Sequence, residues 1–217
     1  MWSITLTTTL LLALSAATPL PGRKFSLLKH LKQETTLTEA QIIAIAPTSE
    51  TCDNPPAEGE CATAQQAAKY SSQAFDDYQV TSKAEQAAVI SLMAFESGDF
   101  KYNKNHFPGT PGQGTRNMQS PAFNKKYANS ISALKDQIPA VADSPADLLD
   151  LLRGDETYDF GSGAWFLTTQ CSKDVRTALQ GGDESGWQRY ISECVGTSVT
   201  DARKEYWQRA VKALGSE

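Results

Sequence analysis

The sequence predicts an all-α protein, and three observations carry that prediction. From residue 60 onward, apolar side chains recur at helical spacing between Gly, Pro and Asp breaks. No segment shows the apolar–polar alternation of a half-buried strand. No internal repeat divides the chain. The pattern predicts seven or eight helices, with any β structure confined to a small hairpin in the loop at 99–117.

Each helix is marked by its own ends. A helical stretch, ECATAQQAAKYSSQAF, follows the turn-like CDNPPAEGE. The next, SKAEQAAVISLMAFES, begins with Ser82 and Glu85 at the spacing of a capping box. SPAFNKKYANSISALKDQ opens with Ser120 as N-cap and Pro121 at the first helical position, and SPADLLDLL repeats that device with Ser144 and Pro145. GSGAWFLTTQ is an apolar helix, SKDVRTALQ is stopped by Gly181-Gly182, and ESGWQRYISECV and TDARKEYWQRAVKAL follow.

Residues 1–17 read as a secretory signal peptide: no charge precedes Arg23, Leu10 to Leu14 is apolar, and Ser15, Ala16 and Ala17 are small. That apolar run is far shorter than the roughly 20 residues a bilayer requires. Residues 18–50, with Arg23, Lys24, Lys29 and Lys32 and sparse apolar positions, read as a leader or flexible arm. Residues 51–217 are left as the helical domain. The net charge is −5, more negative still without those four cations, which disfavours nucleic acid and anionic membranes as partners. The expectation is a secreted monomer.

Four cysteines in an exported chain point to two disulfides. Cys52–Cys61 and Cys171–Cys194 each close a short loop around a turn. A metal site lacks ligands, because there is no CxxC and His30 and His106 stand alone. No cofactor is expected: the chain has neither a Gly-rich phosphate loop nor a Ser-His-Asp signature.

The candidate chemistry centres on Glu96. Val89, Leu92, Met93 and Glu96 fall at i, i+3, i+4 and i+7, so the carboxyl continues the core-facing stripe of its helix. Gly98 reads as the stop. Partial burial and the negative end of the helix dipole both favour the neutral acid, the form a general acid needs.

FESGDFKYNKN followed by GTPGQGTRNMQ resembles the lysozyme-like group that contains goose-type lysozymes and soluble lytic transglycosylases. The matching positions are Glu96, Ser97, Asn103, Gly114, Met118 and Gln119, and DFGSGAWFLTTQ fits a helix through the core of that architecture. The resemblance covers residues 84–170. The sequence departs from the family's pattern at Thr115, Arg116 and Asn117, and it lacks the Tyr-rich segment that commonly follows, which bears on sugar specificity more than on fold.

The resemblance implies a lysozyme-like scaffold with Glu96 as catalytic acid. The second carboxylate stays open among Asp99, Asp159 and Glu156. The loop beyond Glu96 would form one wall of a cleft, with Tyr102, His106 and Phe107 against ligand faces. Asn103, Asn105, Gln113, Asn117 and Gln119 offer it donors and acceptors. The functional expectation is a glycan-cleaving enzyme, a glycoside hydrolase or lytic transglycosylase, acting on a β-1,4-linked polysaccharide: peptidoglycan first, chitin-type or mannan polymers next. The alternative is a secreted, non-catalytic carbohydrate-binding or host-interaction protein on the same scaffold.

Overall fold

The structure is a computed structural model of the 217-residue chain; it describes Trp2 and residues 36–216. The expected signal peptide therefore lies outside the described residues, apart from Trp2. Backbone packing divides the chain into Met1–Gln33 and Glu34–Glu217, and the description concerns the second unit.

Among the described residues the fold is all-α. In chain order the α-helices are α1 Glu39–Ile45, α2 Ala64–Asp77, α3 Lys83–Glu96, α4 Pro121–Ser130, α5 Ile138–Val141, α6 Pro145–Arg153, α7 Glu156–Gln170, α8 Lys173–Gln180, α9 Glu184–Arg189 and α10 Asp201–Leu214. The expected hairpin reduces to two isolated bridges, Lys104 with Gly114 and Gly114 with Gln119. Both expected disulfides are present, with Cα–Cα separations of 5.8 Å for Cys52–Cys61 and 5.1 Å for Cys171–Cys194.

Helix α3 lies at the centre. Every residue from Ala84 to Ala94 is buried, so the stripe ending in Glu96 is one side of a helix that is enclosed all round. Burying Val89, Ile90, Leu92 and Met93 stabilises the fold by about 1.5–3 kcal/mol per side chain. Only half of the expected capping box forms. Ser82 accepts from the Glu85 N–H, but the Glu85 carboxylate turns inward and meets Arg176 Nε at 2.8 Å.

Two apolar clusters share α7. Phe160, Ala164 and Leu167 join the larger one, built on α1–α3 and α8–α10; Trp165 and Phe166 join the smaller one, built on α4–α6. The stretch 120–137, expected as one helix, breaks after Ser130 into a 3₁₀ turn at Ser132–Leu134. Ile131 adopts extended backbone there, and Leu134 folds back into the smaller cluster. Of the leader expected at 18–50, residues 18–35 lie outside the described residues. Leu37, Ile42, Ile45 and Ala46 are buried in the larger cluster, and α1 packs on α10 and α2.

Candidate functional site

The site begins with the way α3 ends. Ser97 caps the helix, its hydroxyl donating to Met93 O at 2.6 Å and accepting from the Phe100 N–H at 3.0 Å. Gly98, Asp99 and Phe100 then all take positive φ, of 57°, 57° and 64°. Glycine adopts this conformation without strain; Asp99 and Phe100 must be held in it. The Asp99 N–H reaches back to Ala94 O at 2.8 Å, and Phe100 is fully buried.

That reversal carries Asp99 away from the groove described below. Its Oδ2 accepts from the Thr48 N–H at 3.0 Å and the Thr48 hydroxyl at 2.8 Å, and its Oδ1 from the Tyr206 hydroxyl at 2.7 Å. Burial and that bond to Asp99 push the Tyr206 hydroxyl up to about 12. The candidate second carboxylate thus joins the turn before Cys52 to α10.

Glu96 is half-buried, and its Oε1 accepts from Arg203 Nη2 at 2.8 Å and Nε at 3.1 Å. The guanidinium lies 4.8 Å over the Phe95 ring and also donates to Ser198 O at 3.2 Å. The isolated neutral acid expected from the sequence is instead one half of an ion pair, whose other half lies 107 residues further along the chain.

Two cavities meet at this pair. The larger, about 340 Å³, has Leu92, Phe123, Phe166 and Val195 as apolar lining and Gln113, Asn117, Gln119 and Ser120 as polar lining, with Arg203 and Glu96 beside them. The smaller, about 220 Å³, is lined by Tyr102, Lys104, Asn105, His106 and Phe107. Glu96, Gln113 and Met118 belong to both, so the two cavities adjoin, and the groove is the pair of them.

The loop residues expected to bind ligand divide into two groups. Tyr102, Asn105, Gln113, Asn117 and Gln119 line the groove. Asn105, however, spends its side chain within the loop: Nδ2 donates to Phe107 O, and Oδ1 accepts from the N–H groups of Gly109 and Thr110. Asn103 lines neither cavity. It is buried, donating from Nδ2 to Asp159 Oδ2 at 3.1 Å and accepting from Arg153 Nη1 at 3.2 Å. Its N–H donates to Glu60 Oε2, and His106 Nε2 lies 3.0 Å from Glu60 Oε1. Burial pushes the Glu60 carboxyl up, but the bonds from His106 and Asn103 and the charges of His106 and Lys104 outweigh it and leave it below its ordinary value.

Asp159, another candidate carboxylate, is fully buried at the start of α7. Arg116 Nε lies 2.9 Å from its Oδ2. Arg116 also donates to Phe100 O at 2.7 Å and to Tyr102 O at 3.1 Å, which ties the groove loop to the core. Burial raises the Asp159 carboxyl while Arg116 and Asn103 pull it down, and the balance stands at about 6. Glu156 accepts from Gln66 Nε2 at 2.8 Å and belongs to the α2–α7 contact. Arg116 and Arg203 are the site residues that sequence reasoning missed. Their roles depend on partners distant in the chain, and no local pattern announces them.

No family model matches the chain. No solved structure matches it either. Over 157 residues the chain is 50% identical to a bifunctional dioxygenase (DOX)-epoxy alcohol synthase (EAS) of Fusarium oxysporum (strain Fo5176). Those residues are 69% of this chain and 12% of the relative, so the match spans about an eighth of that protein's length. The relative overturns the expectation of a glycan-cleaving enzyme, whether glycoside hydrolase or lytic transglycosylase. The general-acid role given to Glu96 falls with it.

Proposed function

We propose that this chain is a binding module, and that the groove beside Glu96 takes an extended, oxygen-bearing hydrocarbon of the class to which an epoxy alcohol belongs. One observation carries the reading. The larger of the two adjoining cavities has Leu92, Phe123, Phe166 and Val195 to cover a hydrocarbon and Gln113, Asn117 and Gln119 to meet its oxygen functions. The relative's name supplies the ligand class, since it is called an epoxy alcohol synthase.

The oxygen chemistry in that name is not assigned to the described residues of this chain. All four cysteines are in disulfides, and among the described residues no three His, Cys, Asp or Glu side chains come together as metal ligands. His106 sits against Glu60 instead. Among the described residues, the donor set therefore does not fit a protein-held metal centre.

Two finer readings belong to the same proposal. A lysozyme-like scaffold is supported as an architecture by a buried helix ending in Glu96, the polar loop beyond it and the long α7 shared by both apolar clusters. Export is supported by the two disulfides, which persist in oxidising compartments. Among the described residues, no helix is long and apolar enough to cross a membrane.

The test is titration of the 15N-labelled protein with a linear medium-chain epoxy alcohol, and separately with the alkane of equal length. The expected result is saturable shifts at the side-chain amides of Gln113, Asn117 and Gln119 with the epoxy alcohol, and weaker ones with the alkane. Saturation mapping to another surface, or no saturation at all, would remove the groove from consideration.

A further inference from the structure

A further cavity, of about 320 Å³, shares no lining residue with either part of the groove. Thr168 and Cys171, at the end of α7, form one side of it, and Lys173, Arg176, Thr177 and Gln180 of α8 form the other. The four α8 residues fall at i, i+3, i+4 and i+7, which is one face of a helix. Val175 and Leu179, away from that face, are buried in the core.

The α8 face is rich in donors that the protein leaves open. Arg176 Nε lies 2.8 Å from Oε1 of Glu85, a carboxylate on α3 that is only 1% exposed. That bond fixes the guanidinium but uses a single N–H. Among the described residues Nη1 and Nη2 have no acceptor, and both carry accessible surface. Lys173 is exposed, and among the described residues it makes no hydrogen bond or ion pair; the same holds for the Thr177 and Gln180 side chains.

No carboxylate lines the cavity. Asp174, in the first turn of α8, is not part of the lining, and its charge acts on Arg189. Glu85 offsets Arg176, so the charge of Lys173 stands in excess. On the α7 side the Thr168 hydroxyl already donates to Ala164 O at 2.9 Å, and Cys171 is in a disulfide, so that wall is uncharged.

The buried Glu85 accounts for a cation at position 176. It does not account for Lys173, or for a guanidinium whose terminal nitrogens are left open. An arginine already ordered by a core carboxylate loses little freedom on meeting a ligand. Lysine and arginine side chains can only donate, so their ligand must accept. We propose that this cavity is an oxyanion site, taking a phosphate or sulfate group between Lys173 and the open nitrogens of Arg176, with the Thr177 hydroxyl as a further donor. A doubly charged group meets both cations, where a carboxylate brings one charge. The uncharged Thr168–Cys171 wall leaves room for the rest of an ester. The site is independent of the groove.

The experiment is titration of the 15N-labelled full chain, at fixed ionic strength, with inorganic phosphate, sulfate, phenyl phosphate and acetate. The expected result is saturable shifts at Arg176 Nε–H and at the Thr177 and Gln180 amides with the first three, and weaker ones with acetate. Phenyl phosphate binding more tightly than inorganic phosphate identifies an ester as the occupant, and equal binding identifies the free ion; both uphold the site. Lys173→Gln, which leaves the Glu85–Arg176 pair intact, should weaken phosphate about two- to fivefold. Arg176→Lys keeps a charge opposite Glu85 but loses the fork, and should weaken it about tenfold. Shifts that do not saturate, that map elsewhere, or that acetate reproduces in full would overturn the proposal, as would wild-type affinity in Lys173→Gln. The ion series and Lys173→Gln decide the matter even if Arg176→Lys proves unstable through Glu85.

Discussion

The Asp159 carboxyl is an unusual group to find at the first turn of a core helix. Buried, with Arg116 at 2.9 Å and Asn103 at 3.1 Å, it stands at about 6, above its ordinary value of 3.8. The folded state therefore binds the proton more tightly than the unfolded chain. The stability this group contributes is fully present below about pH 4 and is lost as pH rises through about 6, by up to about 3 kcal/mol. Glu60 works in the opposite sense and at lower pH, since its carboxyl lies below the ordinary value and its contribution is lost as pH falls. Thermal melts between pH 4 and 7 should show wild-type stability declining across that window. Asp159→Asn, which mimics the protonated acid, should flatten the decline; an unchanged slope in the variant would place the titration elsewhere. Glu96 offers a contrast at the same scale. Its pair with Arg203 is partly open to solvent, the two side chains being 24% and 15% exposed. Glu96→Gln should therefore cost no more than about 1 kcal/mol, and a larger loss in chemical denaturation would mean that the pair organises the groove more widely.

Helix α7 is the element on which both halves of the core converge, and its glycines make that convergence possible. A Cβ at Gly163 would lie 2.6 Å from Met93 Sδ and 2.9 Å from Val89 Cγ1 on α3. The thioether can move, but Val89 is β-branched and has essentially one rotamer in a helix. Gly163→Ala gains about 1 kcal/mol of helix propensity and should still destabilise by about 1–3 kcal/mol net through overpacking, read as a lower denaturation midpoint with an unchanged slope. A stabilised variant would show that α3 and α7 have slack between them. This element also shows where the sequence was legible. The apolar run GSGAWFLTTQ marked a core helix, and the Glu96–Gly98 ending of α3 was visible because helix period and stop signals are local. The beginning of α7 at Glu156 was not, because Asp155 acts there as an N-cap on a stretch that reads as polar. Nor were Arg203 against Glu96, Arg116 against Asp159 or Thr48 against Asp99, since each pairing joins residues far apart in sequence. The groove amides Gln113, Asn117 and Gln119 could be named in advance because one short loop carries all three, whereas Asn103, in the same loop, is turned inward by its partners.

On the scale of the whole molecule, residues 36–50 are part of the fold that holds the groove. Their composition suggested otherwise: α1 has only seven residues, its apolar positions are few, and Pro47 follows closely. Placement decides the matter. Leu37, Ile42 and Ile45 are 7%, 0% and 0% exposed, and Thr38 with Gln41 forms a complete capping box that fixes where the helix begins. Gln41 Nε2 donates to Ala213 O at 3.0 Å, and the Leu37 N–H, just before the cap, donates to Ser72 Oγ at 2.9 Å, so α1 is hydrogen-bonded to α10 and the residue leading into it to α2. Beyond α1, Thr48 supplies two of the three hydrogen bonds that the Asp99 carboxylate accepts, in the strained turn after Glu96. Removing residues 36–50 would expose the apolar surfaces of α2 and α10 that these side chains cover, at about 1.5–3 kcal/mol for each large one lost. Three such losses approach the 5–15 kcal/mol by which a whole domain is stable. A chain of residues 51–217 should therefore lose its sharp calorimetric transition or melt far below one of residues 36–217. Because the Asp99 carboxylate would keep only the Tyr206 bond, amide exchange in the 98–100 turn should also rise in any folded fraction. If residues 51–217 melt as sharply and at the same temperature as residues 36–217, α1 is an appendage and the core that positions Glu96 closes without it.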